Sequence, residues 1–222
     1  MTVTETEKTP SMEAGSGPDP LSQLRGYWEG LRVGGGIPAR SRISPRGIEQ
    51  ALSCTFLIER VAPGIARFRI AGMDLAEFMG MEVRGMPFSA IFCPLGRVEI
   101  ANRLERVFQD GAILTADLVA ERGLGRPALT ARMLALPLCN DQGSVTLAIG
   151  CMALSGKVGR TPRRFDVTRA RLERTMDAVP KPRPVAGMVP KLVLQNAAEF
   201  AEAAAVFEHR QSGPAPYLRV VK

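Results

Sequence analysis

The sequence predicts an α+β domain built on an antiparallel sheet. Three observations carry that prediction. Segments of β pattern come in runs, two and then three, with helical segments set between the runs rather than after every strand. Short connections such as Pro63-Gly64, residues 123–126 and residues 140–143 join neighbouring strands, and their Gly and Asn accept the positive φ of hairpin turns. Finally, 45% of the 222 residues are apolar, enough for one ordinary core. No apolar run reaches the roughly 18 residues that a membrane-spanning helix needs.

Residues 1–20 are rich in Thr, Ser, Gly, Pro and Glu and hold few large apolar side chains. They bury too little surface to offset the entropy of ordering, so a disordered tail is expected. The tail is acidic and lacks the basic-then-apolar pattern of a secretion signal, which places the protein in the cytoplasm. A helix follows, because Leu21, Leu24, Trp28 and Leu31 recur at spacings of three, four and three. Adjacent helical residues point about 100° apart. Trp28 therefore joins the stripe, while Tyr27 sits at its edge, where its hydroxyl finds a polar partner. The stripe of Leu24, Trp28 and Leu31, with Tyr27 beside it, packs on the sheet or on a second subunit. Glycines 34–36 and Pro38 end the helix, and a turn with a short helix from Pro45 is expected over residues 43–52.

Strands are expected over residues 54–61 and 65–71; in the second, Ala66, Phe68 and Ile70 alternate with Ile65, Arg67 and Arg69. Gly72 stops that strand, Asp74 is a candidate N-cap for a short helix ending at Met79, and Gly80 is its C-cap. Residues 94–110 form a longer helix, with Ile100, Leu104, Val107 and Phe108 on one face and Gly111 at its end. Three strands follow, over residues 112–121, 127–138 and 144–154. Beyond Ser155 the composition shifts. Residues 156–190 read as a basic, then proline-rich linker, in which residues 165–176 have a thin helical stripe. Residues 191–222 hold an amphipathic helix over 196–209, suited to docking on a partner or on its own domain.

Between Leu24 and Phe88 a series of short motifs keeps a particular order: Leu24-x-x-Tyr27-Trp28-x-x-Leu31-Arg32, Pro38-x-Arg40, Pro45-x-x-Ile48, Arg67-Phe-Arg-Ile-Ala-Gly72, Phe78-Met-Gly80 and Gly85-Met-Pro-Phe88. In that order and spacing the chain resembles the PAS sensor-domain superfamily, and within it a family of small proteobacterial, often alphaproteobacterial, proteins. The resemblance covers about residues 21–155. It implies a five-stranded antiparallel sheet with helices on one face, a flanking N-terminal helix, and a non-enzymatic sensory or regulatory role. Two positions depart from the pattern: Arg42 and Ser44 stand where aspartates are expected, so Arg40 needs another partner.

Such sheets often hold a small molecule between sheet and helices, or dimerise through the flanking helix. Here that cavity would be bounded by Phe78, Met79, Met81, Leu104, Val107, Phe108, Leu129 and Met133. The same residues would simply fill a core, as apolar helix stripes usually do. Haem is disfavoured, because the single histidine, His209, lies in the tail. Flavin photochemistry is disfavoured too, since Cys139-Asn140 reverses the order its reactive cysteine motif requires. Cys54, Cys93, Cys139 and Cys151 form no Cys-x-x-Cys pair and read as small buried thiols rather than a metal site. No phosphate-binding loop or nucleophile elbow is present, so catalysis ranks below regulation.

The net charge of +7 is concentrated in one segment, at Lys157, Arg160, Arg163, Arg164, Arg169 and Arg171. Such a patch suits nucleic acid or an anionic surface. It lacks interleaved aromatics apart from Phe165, which ranks that reading behind a homodimer, an unidentified protein partner or a small ligand.

Overall fold

The computed structural model describes residues 19–175. Residues 1–18 of the tail expected over 1–20, the proline-rich part of the linker and the helix expected over 196–209 lie outside the described residues, while Asp19 and Pro20 belong to the start of α1. The elements run α1 (Pro20–Gly30), β1 (Thr55–Ala62), β2 (Ile65–Ala71), α2 (Met73–Met79), α3 (Pro94–Asp110), β3 (Ile113–Ala120), β4 (Leu129–Cys139), β5 (Val145–Gly156) and β6 (Phe165–Glu173). Short 3-10 segments occupy Arg40–Arg42, Pro45–Cys54 and Phe88–Ile91. The α+β class and the antiparallel pairing follow the expectation.

The sheet has six strands rather than five, in the order β2-β1-β5-β4-β3-β6, and every neighbouring pair is antiparallel. The sixth strand corrects the helix expected over residues 165–176 and puts part of the expected linker on the sheet. It pairs with β3 from Ala120↔Phe165 to Ile113↔Glu173, with a register shift beside Asp117. That irregularity explains the misreading. Phe165, Val167, Ala170 and Leu172 all belong to or pack on the same core. The bulge stretches the spacing between Val167 and Ala170 from two to three, which imitates a helical stripe.

Both faces of the sheet are covered, which corrects the expectation of helices on one face. On one side α2, α3 and Phe88–Ile91 pack against Phe56, Ile58, Phe68, Leu114, Ala116 and Met133. On the other, α1 and Pro45–Cys54 pack against Leu57, Leu134, Leu136, Leu138, Leu147 and Ile149. The cause is visible in β4, where Met133, Leu134, Ala135, Leu136, Pro137 and Leu138 are all buried. An unbroken apolar run is what a strand buried on both faces requires. At the centre of β5, Gly150 lies against the Phe56 ring and the Leu134 carbonyl, where a Cβ would collide with both.

Helix ends follow the glycine expectation. Gly80 and Gly111 adopt the left-handed conformation, with φ of 68° and 63°, immediately after α2 and α3. Asp74 differs from expectation. Gly72 is the N-cap of α2, and the Asp74 carboxylate accepts a hydrogen bond from the Ser53 hydroxyl at 3.0 Å.

Glu105 fastens the first hairpin to α3. Its carboxylate accepts hydrogen bonds from Arg60 at 2.6 and 3.1 Å, from the Gly64 N–H at 2.9 Å and from Gln109 at 2.7 Å. The Arg60 bond is the main reason that the carboxyl titrates below its usual 4.5; burial opposes the shift, and Gly64 and Gln109 add to it. A depressed carboxylate contributes stability above the unfolded-state value and loses it as pH falls through the folded value. Glu105→Gln is therefore expected to cost about 1–2 kcal/mol near neutral pH. In urea melts at descending pH, the gap to wild type should close below 4.5. A gap that persists in acid would assign the loss to packing instead.

Candidate functional site

The space between sheet and helices is filled by phenylalanine. Phe56, Phe68, Phe78, Phe88, Phe92, Phe108 and Phe165 are buried together in one core. Phe78 meets Phe165 edge-on with centroids 5.3 Å apart, and Phe88 lies 5.3, 5.4 and 5.5 Å from Phe68, Phe56 and Phe92. Of the eight residues expected to bound a cavity, Phe78, Met79, Leu104, Val107, Phe108, Leu129 and Met133 are in this core, and Met81 is half exposed on the surface. The void described on this side measures about 10 Å³, between Ala66, Phe88, Ile100 and Leu104. That volume is at the limit for one water molecule. Phe165 belongs to the segment expected as linker, so sequence reasoning missed one of the rings that fill this space.

The apolar stripe of α1 is used within the chain. Leu21, Leu24 and Trp28 are buried in the core on the opposite sheet face, and Leu31 is half-buried. The Trp28 indole N–H donates to the Pro137 carbonyl at 2.9 Å, and the Arg32 guanidinium lies 5.2 Å from the indole centroid. Tyr27 reaches a polar partner as expected: its hydroxyl accepts the Ser44 N–H at 2.7 Å. Arg40, expected to find another partner, is exposed and makes no side-chain hydrogen bond or ion pair among the described residues.

The basic segment divides in two. Arg163 is fully buried, and its guanidinium donates to the carbonyls of Glu121 (3.0 Å), Pro127 (2.9 Å) and Val158, while its Nε has no partner. Burial lowers its pKa, but a guanidinium stays protonated at any ordinary pH. Lys157, Arg160, Arg164, Arg169 and Arg171 are exposed. Phe165, the aromatic nearest them in sequence, is buried and unavailable for stacking on a base.

A half-open groove of about 600 Å³ lies on the α1 side of the sheet. Asp19 at the start of α1, Gln50, Ser53 and Cys54 of the 3-10 segment, Asp74 of α2, and residues of β3, β4, β5 and β6 line it. Arg132 donates to Asp19 at 2.6 Å. Burial pushes the Asp19 carboxyl up, but the Ser22 hydroxyl and Arg132 outweigh it and hold the group below its usual range. Asp117 stands between Arg132 and Arg169 in the strand register, half-buried. Sequence reasoning missed this groove because no single periodic stripe lines it. Its wall is assembled from elements far apart in the chain, and only the charged Asp117 and Arg132 on strands otherwise free of charge hint at it. Among the described residues, no group of His, Cys, Asp and Glu is placed to hold a metal ion, and no helix is long and apolar enough to cross a membrane.

A family model described as a PAS domain matches residues 17–153. Among solved structures, an RNA-binding light-oxygen-voltage receptor is matched at 18% identity with a TM-score of 0.36. That match covers 55% of this chain and 36% of the receptor chain, so it spans little more than a third of the receptor's length. No curated protein sequence matches.

Proposed function

We propose, from the premise that this chain belongs to the PAS domain family, that it is a regulatory module acting through contact with a protein partner and carrying out no reaction of its own. The observation behind this reading is the filled interior. Where a ligand-holding domain keeps a cavity of several hundred Å³, this one packs seven phenylalanines, beside a void of about 10 Å³. A packed interior makes the surface, rather than an enclosed cofactor, the carrier of the signal. A second copy of the chain is one candidate partner. Since α1 has already buried Leu24 and Trp28 on its own sheet, that copy would meet a different surface. We place the protein in the cytoplasm, a reducing compartment in which free thiols such as its four cysteines persist.

The second reading is a small polar ligand on the other side of the sheet, favoured by the groove's 600 Å³ and its mixed Asp19, Asp117 and Arg132 lining. Native mass spectrometry of the purified full chain, followed by denaturing mass spectrometry of the same sample, tests both. Protein free of any small mass is expected. A releasable mass would overturn the partner reading in favour of the groove ligand, and Arg132→Ala should then abolish its retention.

A further inference from the structure

We propose that Cys54 and Cys151 form a peroxide-oxidisable thiol pair that closes to a disulfide between the Pro45–Cys54 segment and the sheet. Cys54 is the last residue of that segment, and the next residue, Thr55, pairs directly with Cys151 of β5. The two cysteines are thus diagonal neighbours, buried in the same core, and both are free thiols. The Cys54 thiol donates to the Ala51 carbonyl at 3.2 Å, and Cys151 is near enough for its thiol to act on the Cys54 sulfur. A disulfide has short reach and needs such a juxtaposition before oxidation.

Access is one-sided. Cys54 lines the open groove, whereas Cys151 is not part of its wall and is fully buried. A small neutral oxidant therefore meets Cys54 first. The reactivities are ordered the same way. The hydrogen bond from Cys151 outweighs burial and the nearby Asp74 and holds the Cys54 thiol below its usual value; donating that bond, together with burial, pushes Cys151 up. Cys93 is more exposed, but burial and then Asp166 push it up to about 11, which leaves it mostly protonated and slow.

The chemistry balances with hydrogen peroxide as oxidant. The Cys54 thiolate attacks one peroxide oxygen. The S–O bond forms and the O–O bond breaks, the sulfur loses two electrons, and the departing hydroxide takes a proton to become water. The Cys151 sulfur then attacks the sulfenic sulfur. The S–S bond forms and the S–O bond breaks, and the leaving hydroxide takes the Cys151 proton as a second water. The product ties the segment that carries Ser53, and through it Asp74, to β5, so oxidation restrains one wall of the groove.

The full chain treated with graded hydrogen peroxide, quenched by alkylation and mapped without reduction, tests this directly. A peptide joining Cys54 to Cys151 should appear before any change at Cys93 or Cys139. The intact mass should fall by two hydrogens, and dithiothreitol should restore it. Cys151→Ser should strand the sulfenic acid on Cys54, where dimedone captures it, and Cys54→Ser should abolish the cross-link. Oxidation of Cys93 or Cys139 ahead of Cys54, or a Cys54 still reduced when they are modified, overturns the proposal. The wild-type map gives that answer even where a variant fails to fold.

Discussion

Trp28→Ala is expected to lower stability by about 3–5 kcal/mol, the usual range for truncating a buried large aromatic side chain. Two losses combine. The indole fills the centre of the α1 interface with the sheet, beside Leu24, Leu136 and Leu138. Its N–H also satisfies the Pro137 carbonyl. Pro137 lies beyond the last residue of β4 that pairs with β3, Ala135, so β3 offers that carbonyl no donor. A buried carbonyl without a donor costs about 1–3 kcal/mol. Trp28→Phe should keep most of the packing and lose mainly the hydrogen bond, at about 1–3 kcal/mol. Urea denaturation followed by circular dichroism checks both values, and it suits variants that lack the single tryptophan. Light scattering should report the same mass for wild type and variants. A loss under about 1 kcal/mol, accompanied by a smaller assembly, would instead mean that α1 packs between copies.

How much of this was legible depended on whether neighbouring residues alone carried the signal. Helix α3 was read with the bounds observed, because Pro94, a four-residue apolar stripe and Gly111 are all local cues. The caps at Gly80 and Gly111 and the hairpin at Pro63-Gly64 are local in the same way. Strand β6 was not legible, since its bulge depends on how β3 accepts it, and the shifted spacing copied a helix. Tertiary context also decided the pocket. Seven of the eight residues named for it do come together. Whether they enclose a space depends on Phe92 and Phe165, which reach the same core from segments the pocket expectation did not include. Likewise the cysteines read as isolated buried thiols, which Cys93 and Cys139, both half-buried, are not. The proximity of Cys54 to Cys151 follows from β1 lying beside β5, a pairing that spans nearly a hundred residues of sequence and that no local pattern announces.

The second large effect is expected at Arg163. A basic side chain in a solvated linker would tolerate alanine with a change within about 0.5 kcal/mol. The structure gives this one a different task. Its guanidinium gathers three carbonyls, from the end of β3 at Glu121, from Pro127 before β4 and from Val158 after β5. Its own N–H donates to the Phe78 carbonyl at 2.8 Å. Truncation to alanine would leave three carbonyls without their donors and open a void beside Phe165, for a loss of about 3–5 kcal/mol. Lysine should rescue little, because a single ammonium lacks the planar fork that spans separated acceptors. The damage should also be directional. With the 157–164 connection released, hydrogen exchange should quicken first in the β6 amides that pair with β3, while the β1–β5 pairing stays protected. If Arg163→Ala instead raises exchange evenly across the sheet, the residue supports the core as a whole and not the docking of the sixth strand. Because β6 carries Phe165 into the aromatic core, selective loosening there is also the perturbation best placed to open the filled interior, so a variant weakened at Arg163 should bind more of a hydrophobic dye than Trp28→Ala does at matched stability.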